Sequence, residues 1–156
     1  MQTKLIEIEE GYRSHPYHCT QGFPTIGIGK KIGPKNADLE LYQFSVSREI
    51  AGMFLNDELR MLNRQLTKKF TWFVNLSQTR KDIIISMCYQ LGLVGFCKFK
   101  KTIAYIAAGD YRDASVEMLD SRWHKQTPER AKRHSVVMRT GDYEIVDLYK
   151  NINEED

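Results

Sequence analysis

The chain has 156 residues, 42 % of them apolar and 28 % charged, with a formal net charge of +3. That is enough chain to bury a real core in one domain, which excludes a disordered or fibrous protein. The small basic excess admits an anionic partner, nucleic acid or cell-wall polymer, without choosing between them.

The N-terminus, MQTKLIEIEEG, carries no apolar run of signal-peptide or membrane-anchor length. Residues 3–10 predict a short helix with Leu5, Ile6 and Ile8 apolar and Gly11 ending it. Residues 13–32 predict strands: Phe23, Thr25, Gly27 and Gly29 alternate with Pro24, Ile26 and Ile28 on the opposite face. Thr20, Gln21 and Gly22 form the expected turn. A looser stretch follows at 33–46, and Ser47 has the chemistry of a helix N-cap.

From 48 to 66, Ala51, Phe54, Leu55, Leu59, Leu62 and Leu66 recur at helical spacing. A helix of that length, about 28 Å, can bridge two lobes. Ser77 opens a second strong helix through Ile83, Ile84, Met87, Cys88 and Leu91, with a stop expected near Gly92. Shorter helices are expected at 98–108, 111–120, 128–139 and 143–150. Thr127-Pro128 marks the start of the third of these and Gly141 its end. The acidic tail Asn153, Glu154, Glu155, Asp156 is expected to fray. A small sheet in a mostly helical chain is α+β.

Three cysteines, Cys19, Cys88 and Cys97, are widely spaced and include no CxxC pair. That argues against a disulfide framework and for synthesis in a reducing compartment. The four histidines, His15, His18, His124 and His134, show no zinc-ligand spacing, so no metal site is expected. Ile26-Gly27-Ile28-Gly29 lacks the third glycine of a dinucleotide fingerprint, and two lysines follow it rather than a helix. Its glycines are better explained by something that approaches the backbone closely.

Glu10 falls on the last turn of the first helix beside Glu9. The negative helix end and the neighbouring carboxylate both oppose ionisation there. A carboxylic acid still protonated near neutrality is what a glycosidase needs to protonate a leaving oxygen; a solvated Glu-Glu pair is the plainer alternative. Cys19 and Thr25, taken singly, read as a small hydrophobe and a strand former. Six Lys and Arg residues from Arg122 through Arg139, against Glu129 alone, form either a solvated helix face or a field for a polyanion. Trp123 and Tyr89 are possible apolar walls for a sugar.

Taken together, these residues resemble the phage lysozymes of the T-even type. In the family motif eight residues separate a glutamate from an aspartate or cysteine, and five more separate that residue from a threonine; here it reads Glu10, Cys19, Thr25. SRWHKQTPERAKR at Ser121–Arg133, followed by Met138-Arg139-Thr140-Gly141, resembles the family's C-terminal block. Tyr89-Gln90-Leu91-Gly92 and Gly95-Phe96 are similar to its central helix and the turn after it.

The resemblance implies a lysozyme-like α+β fold over residues 1–156. It places a sheet-bearing lobe at 12–58 and a helical lobe at 59–156 on which residues 1–11 pack, with a saccharide cleft between the lobes. It implies a muramidase acting on the β-1,4 bond between N-acetylmuramic acid and N-acetylglucosamine of peptidoglycan, needing no cofactor. By position, Glu10 is the general acid, Thr25 holds the attacking water, and Arg130 matches the arginine that pairs with the glutamate. Tyr89 and Gln90 match cleft residues, and Lys31, Phe99 and Glu117 occupy substrate-contacting positions with unusual side chains. Cys19 stands where many relatives carry aspartate. A thiol of ordinary pKa serves poorly as a carboxylate's substitute unless a neighbour such as His18 or Lys30 lowers it.

The expected setting is a monomer made in the host cytoplasm. It would be released by a holin to act on the wall, with no membrane insertion and no nucleic-acid partner. A lytic transglycosylase that uses Glu10 alone, and a catalytically silent wall-binding virion protein, are the competing readings.

Overall fold

A computed structural model describes residues 2–152 of the chain; the tail at 153–156 lies outside the described residues. The chain divides into two compact units, Thr3–Arg60 and a second that takes in residues 61–152. The fold is α+β, with seven α-helices and one three-stranded antiparallel sheet among the described residues.

In the first unit, α1 (Gln2–Glu10) buries Leu5 and Ile6. Gly11 ends it in the left-handed region, at φ +68°, and its N–H donates to the Glu7 carbonyl at 2.8 Å. The sheet has the order β1 (Arg13–His18), β2 (Pro24–Gly27), β3 (Lys30–Lys31). The turn joining β1 to β2 closes where expected: Gly22 N–H donates to Cys19 O at 2.8 Å and Cys19 N–H to Phe23 O at 3.0 Å. Tyr17 faces Thr25 across the β1–β2 pair, and Thr25 faces Lys31 across the β2–β3 pair. Directly opposed residues project from the same face of a sheet, so these three side chains form one row.

The alternation expected along β2 does not separate an inner from an outer face. Pro24, Thr25, Ile26 and Gly27 are all buried, because both sides of this short strand are covered. Part of the cover is α2 (Arg48–Lys69): a Cβ at Gly27 would lie 2.9 Å from the Ala51 side chain, so only glycine lets strand and helix approach this closely.

Ser47 caps α2, its Oγ accepting the Ile50 N–H at 3.2 Å. The helix buries Ala51, Leu55, Leu59, Leu62 and Leu66, whereas Phe54, counted with that stripe from sequence, is 44 % exposed beside Ile50 and Met53. At 22 residues α2 runs about 33 Å, longer than expected.

The second unit is built on α3 (Gln78–Phe96), whose residues 82–88 are all buried. Ser77 caps it through the Arg80 N–H. The helix does not stop at Gly92: it breaks there, at φ 76° and ψ 156°, and resumes to Phe96. The buried Asp82 carboxylate accepts the Tyr143 hydroxyl at 2.9 Å and the Gln78 amide at 2.6 Å, which supplies the partners a buried charge requires. Burial, and then the charge of Asp82, push the Tyr143 phenol well above its ordinary pKa, so it stays a donor.

Helices α4 (Lys100–Ala107), α5 (Tyr111–Leu119), α6 (Arg122–Gln126) and α7 (Pro128–Thr140) follow. The five-residue α6 has too few turns to show a period in sequence and was not expected. The helix expected at 143–150 is absent: only a 3-10 turn, Asp147–Tyr149, forms there. Tyr143, Val146, Tyr149 and Ile152 are buried, and this three-residue spacing of apolar anchors mimics a helical stripe. No single helix among the described residues is long and apolar enough to cross a membrane.

Candidate active site

The first unit gathers the N-terminal site residues. Glu10 is the last residue of α1, and its carboxyl group lies against the backbone of Gly29. A Cβ at Gly29 would fall 2.8 Å from Glu10 Oε2 and 2.9 Å from its Cδ and Cγ. Gly29 also sits at φ +69°, so two independent constraints require glycine there. The close approach inferred from the glycines is therefore made by Ala51 at Gly27 and by the Glu10 carboxylate at Gly29.

Thr25 is 2 % exposed and its hydroxyl donates to Phe23 O at 2.9 Å. Cys19, at the end of the β1–β2 turn, is partly exposed. Burial raises the Cys19 pKa, but hydrogen bonds from the Phe23 and Gln21 backbone and the Thr25 hydroxyl, with the charge of Lys31, outweigh it and bring the thiol below its ordinary 9.0. The Thr25 hydroxyl has one proton, so Phe23 O and the Cys19 sulfur compete for it, and ionised sulfur is the better acceptor.

The neighbours that tune Cys19 are thus not those expected. His18 Nε2 donates to Ala37 O at 2.8 Å, and Lys30 pairs with Glu58 at 2.6 Å. Lys31, one residue on, is the cation that acts, while its Nζ also lies 4.7 Å from the Phe23 ring centroid.

Sequence reasoning missed Tyr17. Its phenol is raised above the ordinary value by burial first, then by the negative charge of Glu10, with Arg13 opposing and Cys19 adding. The Arg13 guanidinium lies 4.2 Å from the Tyr17 ring centroid. Tyr17 therefore feels both Glu10 and Cys19 and stands in the row with Thr25 and Lys31. Only strand register could have revealed this.

The second unit holds the remaining residues. Tyr89 and Gln90 lie partly exposed near the middle of α3. The buried Trp123 donates its indole N–H to Gln90 Oε1 at 2.8 Å, which fixes the amide orientation. Gln90 Nε2 in turn donates to Thr127 Oγ1 at 3.4 Å, while Thr127 donates to Trp123 O at 3.2 Å. With its hydroxyl so engaged, Thr127 makes no side-chain cap to α7, which opens instead on Pro128. Phe99 and Glu117 line a groove of about 520 Å³ together with Lys98, Lys101 and Arg122. The Glu117 carboxylate pairs with Lys101 at 3.7 Å.

Of the basic run from Arg122 to Arg139, Arg130 is only 6 % exposed and donates to Ser86 O and Oγ, at 3.3 and 3.0 Å. Lys132 pairs with Glu129 at 3.0 Å, which leaves Arg122, Lys125 and Arg139 as the fully exposed remainder apart from it. Among the described residues no group of three or more His, Cys, Asp or Glu side chains is placed to hold a metal.

Residues 7–139 match the family described as phage lysozyme. The chain belongs to the phage lysozyme family. It is therefore a lysozyme-like peptidoglycan hydrolase, a glycosidase whose substrate is the wall polymer. Among its relatives, a probable T4-type lysozyme 2 of Dictyostelium discoideum is 27 % identical over 88 % of this chain and 92 % of its own length. An endolysin of Acyrthosiphon pisum secondary endosymbiont phage 1 is 27 % identical over 78 % of this chain and 75 % of its own. The pre-baseplate central spike protein Gp5 of Enterobacteria phage T4 is 28 % identical over 90 % of this chain. This chain spans only 28 % of that spike protein.

In this chain a carboxyl group, a thiol of lowered pKa and a hydroxyl occupy one small unit. A carboxyl can deliver a proton to a glycosidic oxygen, and a thiol and a hydroxyl can hold water or meet positive charge developing on a sugar.

Proposed function

We propose that this phage lysozyme is a muramidase that hydrolyses the β-1,4 bond between N-acetylmuramic acid and N-acetylglucosamine, and that it serves as a phage endolysin. Glu10 is the general acid. Thr25 Oγ1, whose proton is taken up by Phe23 O or, once the thiol ionises, by Cys19 Sγ, accepts a hydrogen bond from the attacking water. Cys19 takes the place of the family's second carboxylate: its thiolate receives the water's proton or faces the oxocarbenium-like sugar.

Arg130 fills the supporting-arginine role, and Lys31, Tyr89, Gln90, Phe99 and Glu117 contact the saccharide. The reaction needs no cofactor. The protein acts as a monomer, reaches the wall through a holin and does not itself insert in the membrane.

The observation that carries this reading is the Glu10 carboxyl held against Gly29 in the same unit as Thr25 and the partly exposed Cys19. A sulfur kept inert by packing is pushed up, as Cys88 is by its burial, whereas Cys19 is brought down. The likeness to a spike protein supports a second reading, a wall-acting part of a virion, in which the chemistry is the same but the chain works within a larger assembly. Turnover of purified peptidoglycan by the full chain, with Glu10→Gln as control, tests the enzymatic core. Turnover in wild type that the substitution leaves within a few-fold would remove Glu10 as the acid, and none in wild type would remove the enzyme.

A further inference from the structure

A chain of buried polar groups in the helical unit ends at Arg130, and its other members take no part in the chemistry assigned above. His134 is wholly buried on α7, one turn after Arg130. Its Nε2 lies 2.7 Å from Ser86 Oγ and its Nδ1 lies 3.1 Å from the Tyr149 hydroxyl. The same Ser86 oxygen accepts from Arg130 Nη2 at 3.0 Å. Three elements, α3, α7 and the 3-10 turn at Asp147–Tyr149, therefore meet in one line running Tyr149, His134, Ser86, Arg130. The Trp123 ring closes one side of it, 5.8 Å from the imidazole.

Proton accounting gives this line a direction. A hydroxyl has one proton and two acceptor sites, so the Ser86 oxygen can accept from Arg130 only while its proton points elsewhere. A helical serine left to itself rotates between its own backbone and any other acceptor. In the tautomer protonated at Nδ1, the imidazole Nε2 at 2.7 Å removes that freedom: it takes the Ser86 proton and leaves a lone pair facing the guanidinium. In that tautomer the Nδ1 proton is donated to the Tyr149 oxygen, 3.1 Å away.

We propose that His134 is a positioning residue of this lysozyme, holding the Arg130 guanidinium in place through the Ser86 hydroxyl. The proposal rests on the reading of Arg130 as the supporting arginine, and it adds a buried relay that sets where that cation sits. An apolar residue at 134 would fill the same space but would free the serine rotor, and the loss would appear at Arg130.

The test has two arms, both on the full chain. In the first, side-chain N–H signals of Arg130 are followed by NMR in protein labelled with nitrogen-15 arginine, without substrate. Wild type is expected to give a sharp, exchange-protected Arg130 signal. His134→Leu and Ser86→Ala are expected to broaden or shift it, and His134→Gln, whose carbonyl can accept the serine proton, is expected to restore it. An Arg130 signal unchanged in folded His134→Leu overturns the proposal, and should that variant not fold, Ser86→Ala decides in its place.

The second arm measures kcat and KM on soluble glycan chains. His134→Leu is expected to lower kcat about tenfold while KM stays within about twofold, the loss of one charge-assisted contact. In an Arg130→Lys background the same substitution should add less than about twofold, because its target is gone. Full additivity overturns the proposal. An Arg130→Lys variant as active as wild type overturns the role given to Arg130 instead, and the NMR arm then judges the relay by itself.

Discussion

The carboxyl group of Glu10 and the backbone of Gly29 occupy space that excludes even one methyl group, since a Cβ on Gly29 would lie 2.8 Å from Glu10 Oε2. The acid at the end of a helix is thus placed by a glycine just beyond the second strand. Gly29→Ala must displace the Glu10 side chain and also strain a residue at φ +69°. A displacement near 1 Å of a catalytic group costs about a hundredfold in rate, while the strain costs about 1 kcal/mol in stability. Wall turnover should therefore fall far more than thermal stability. Equal activity in a folded Gly29→Ala protein would mean that the Glu10 position is not critical.

Tyr17 supplies a probe of the same carboxylate. Its phenol is raised by burial and then by the Glu10 charge, so removing that charge in Glu10→Gln should lower the Tyr17 pKa part of the way toward 10.0. The direction follows because a nearby anion disfavours phenolate. NMR titration of carbon-13 tyrosine reads it directly. A Tyr17 titration unmoved by the substitution would show that the two groups do not interact.

Cys19 should react as an activated thiol. With its pKa below the ordinary 9.0, its thiolate fraction at any pH under that value exceeds that of a free cysteine. The rise of its labelling rate should accordingly come at lower pH, ahead of Cys88, which is 1 % exposed and raised by burial. Cys19→Asp should keep substantial turnover and Cys19→Ala should lose much of it. If Cys19→Ala matches wild type with stability unchanged, the sulfur is only packing.

Wall binding should weaken with salt, but less steeply than the six cations of the Arg122 to Arg139 run would imply. Arg130 is buried and Lys132 is paired with Glu129, so fewer charges are left to act on a polyanion. Pelleting with purified peptidoglycan between about 20 and about 500 mM NaCl measures this, since the screening length falls severalfold over that range. A flat response removes the electrostatic contribution.

How far the sequence was legible follows from which interactions are local. Gly11, Gly22 and the Ser47 and Ser77 caps act within a few residues of themselves and were readable as such. The spacing of Glu10, Cys19 and Thr25 was legible only through its resemblance to the family motif, since singly each residue has a plainer reading. Tyr17 was not, because its part comes from the residue it faces across the pair and from the charges of Glu10 and Cys19 around it, none of which is a local sequence signal. The tuning of Cys19 by Phe23, Gln21, Thr25 and Lys31 was hidden because it arises across the turn and from β3, and proximity in sequence pointed wrongly to His18 and Lys30. Residues 143–150 misled because side-chain spacing records burial and not backbone hydrogen bonding, and Phe54 misled because an apolar residue near a stripe need not lie in it.

The central claim is that Glu10 directs hydrolysis of the glycan. It is tested most directly by digesting purified peptidoglycan in water enriched in oxygen-18 and weighing the soluble products by mass spectrometry. The account predicts muropeptides with reducing N-acetylmuramic acid ends, each carrying one heavy oxygen, and none from the Glu10→Gln protein. Products one water lighter, with 1,6-anhydro ends and no label, would contradict it, as would labelled products formed at the wild-type rate by Glu10→Gln.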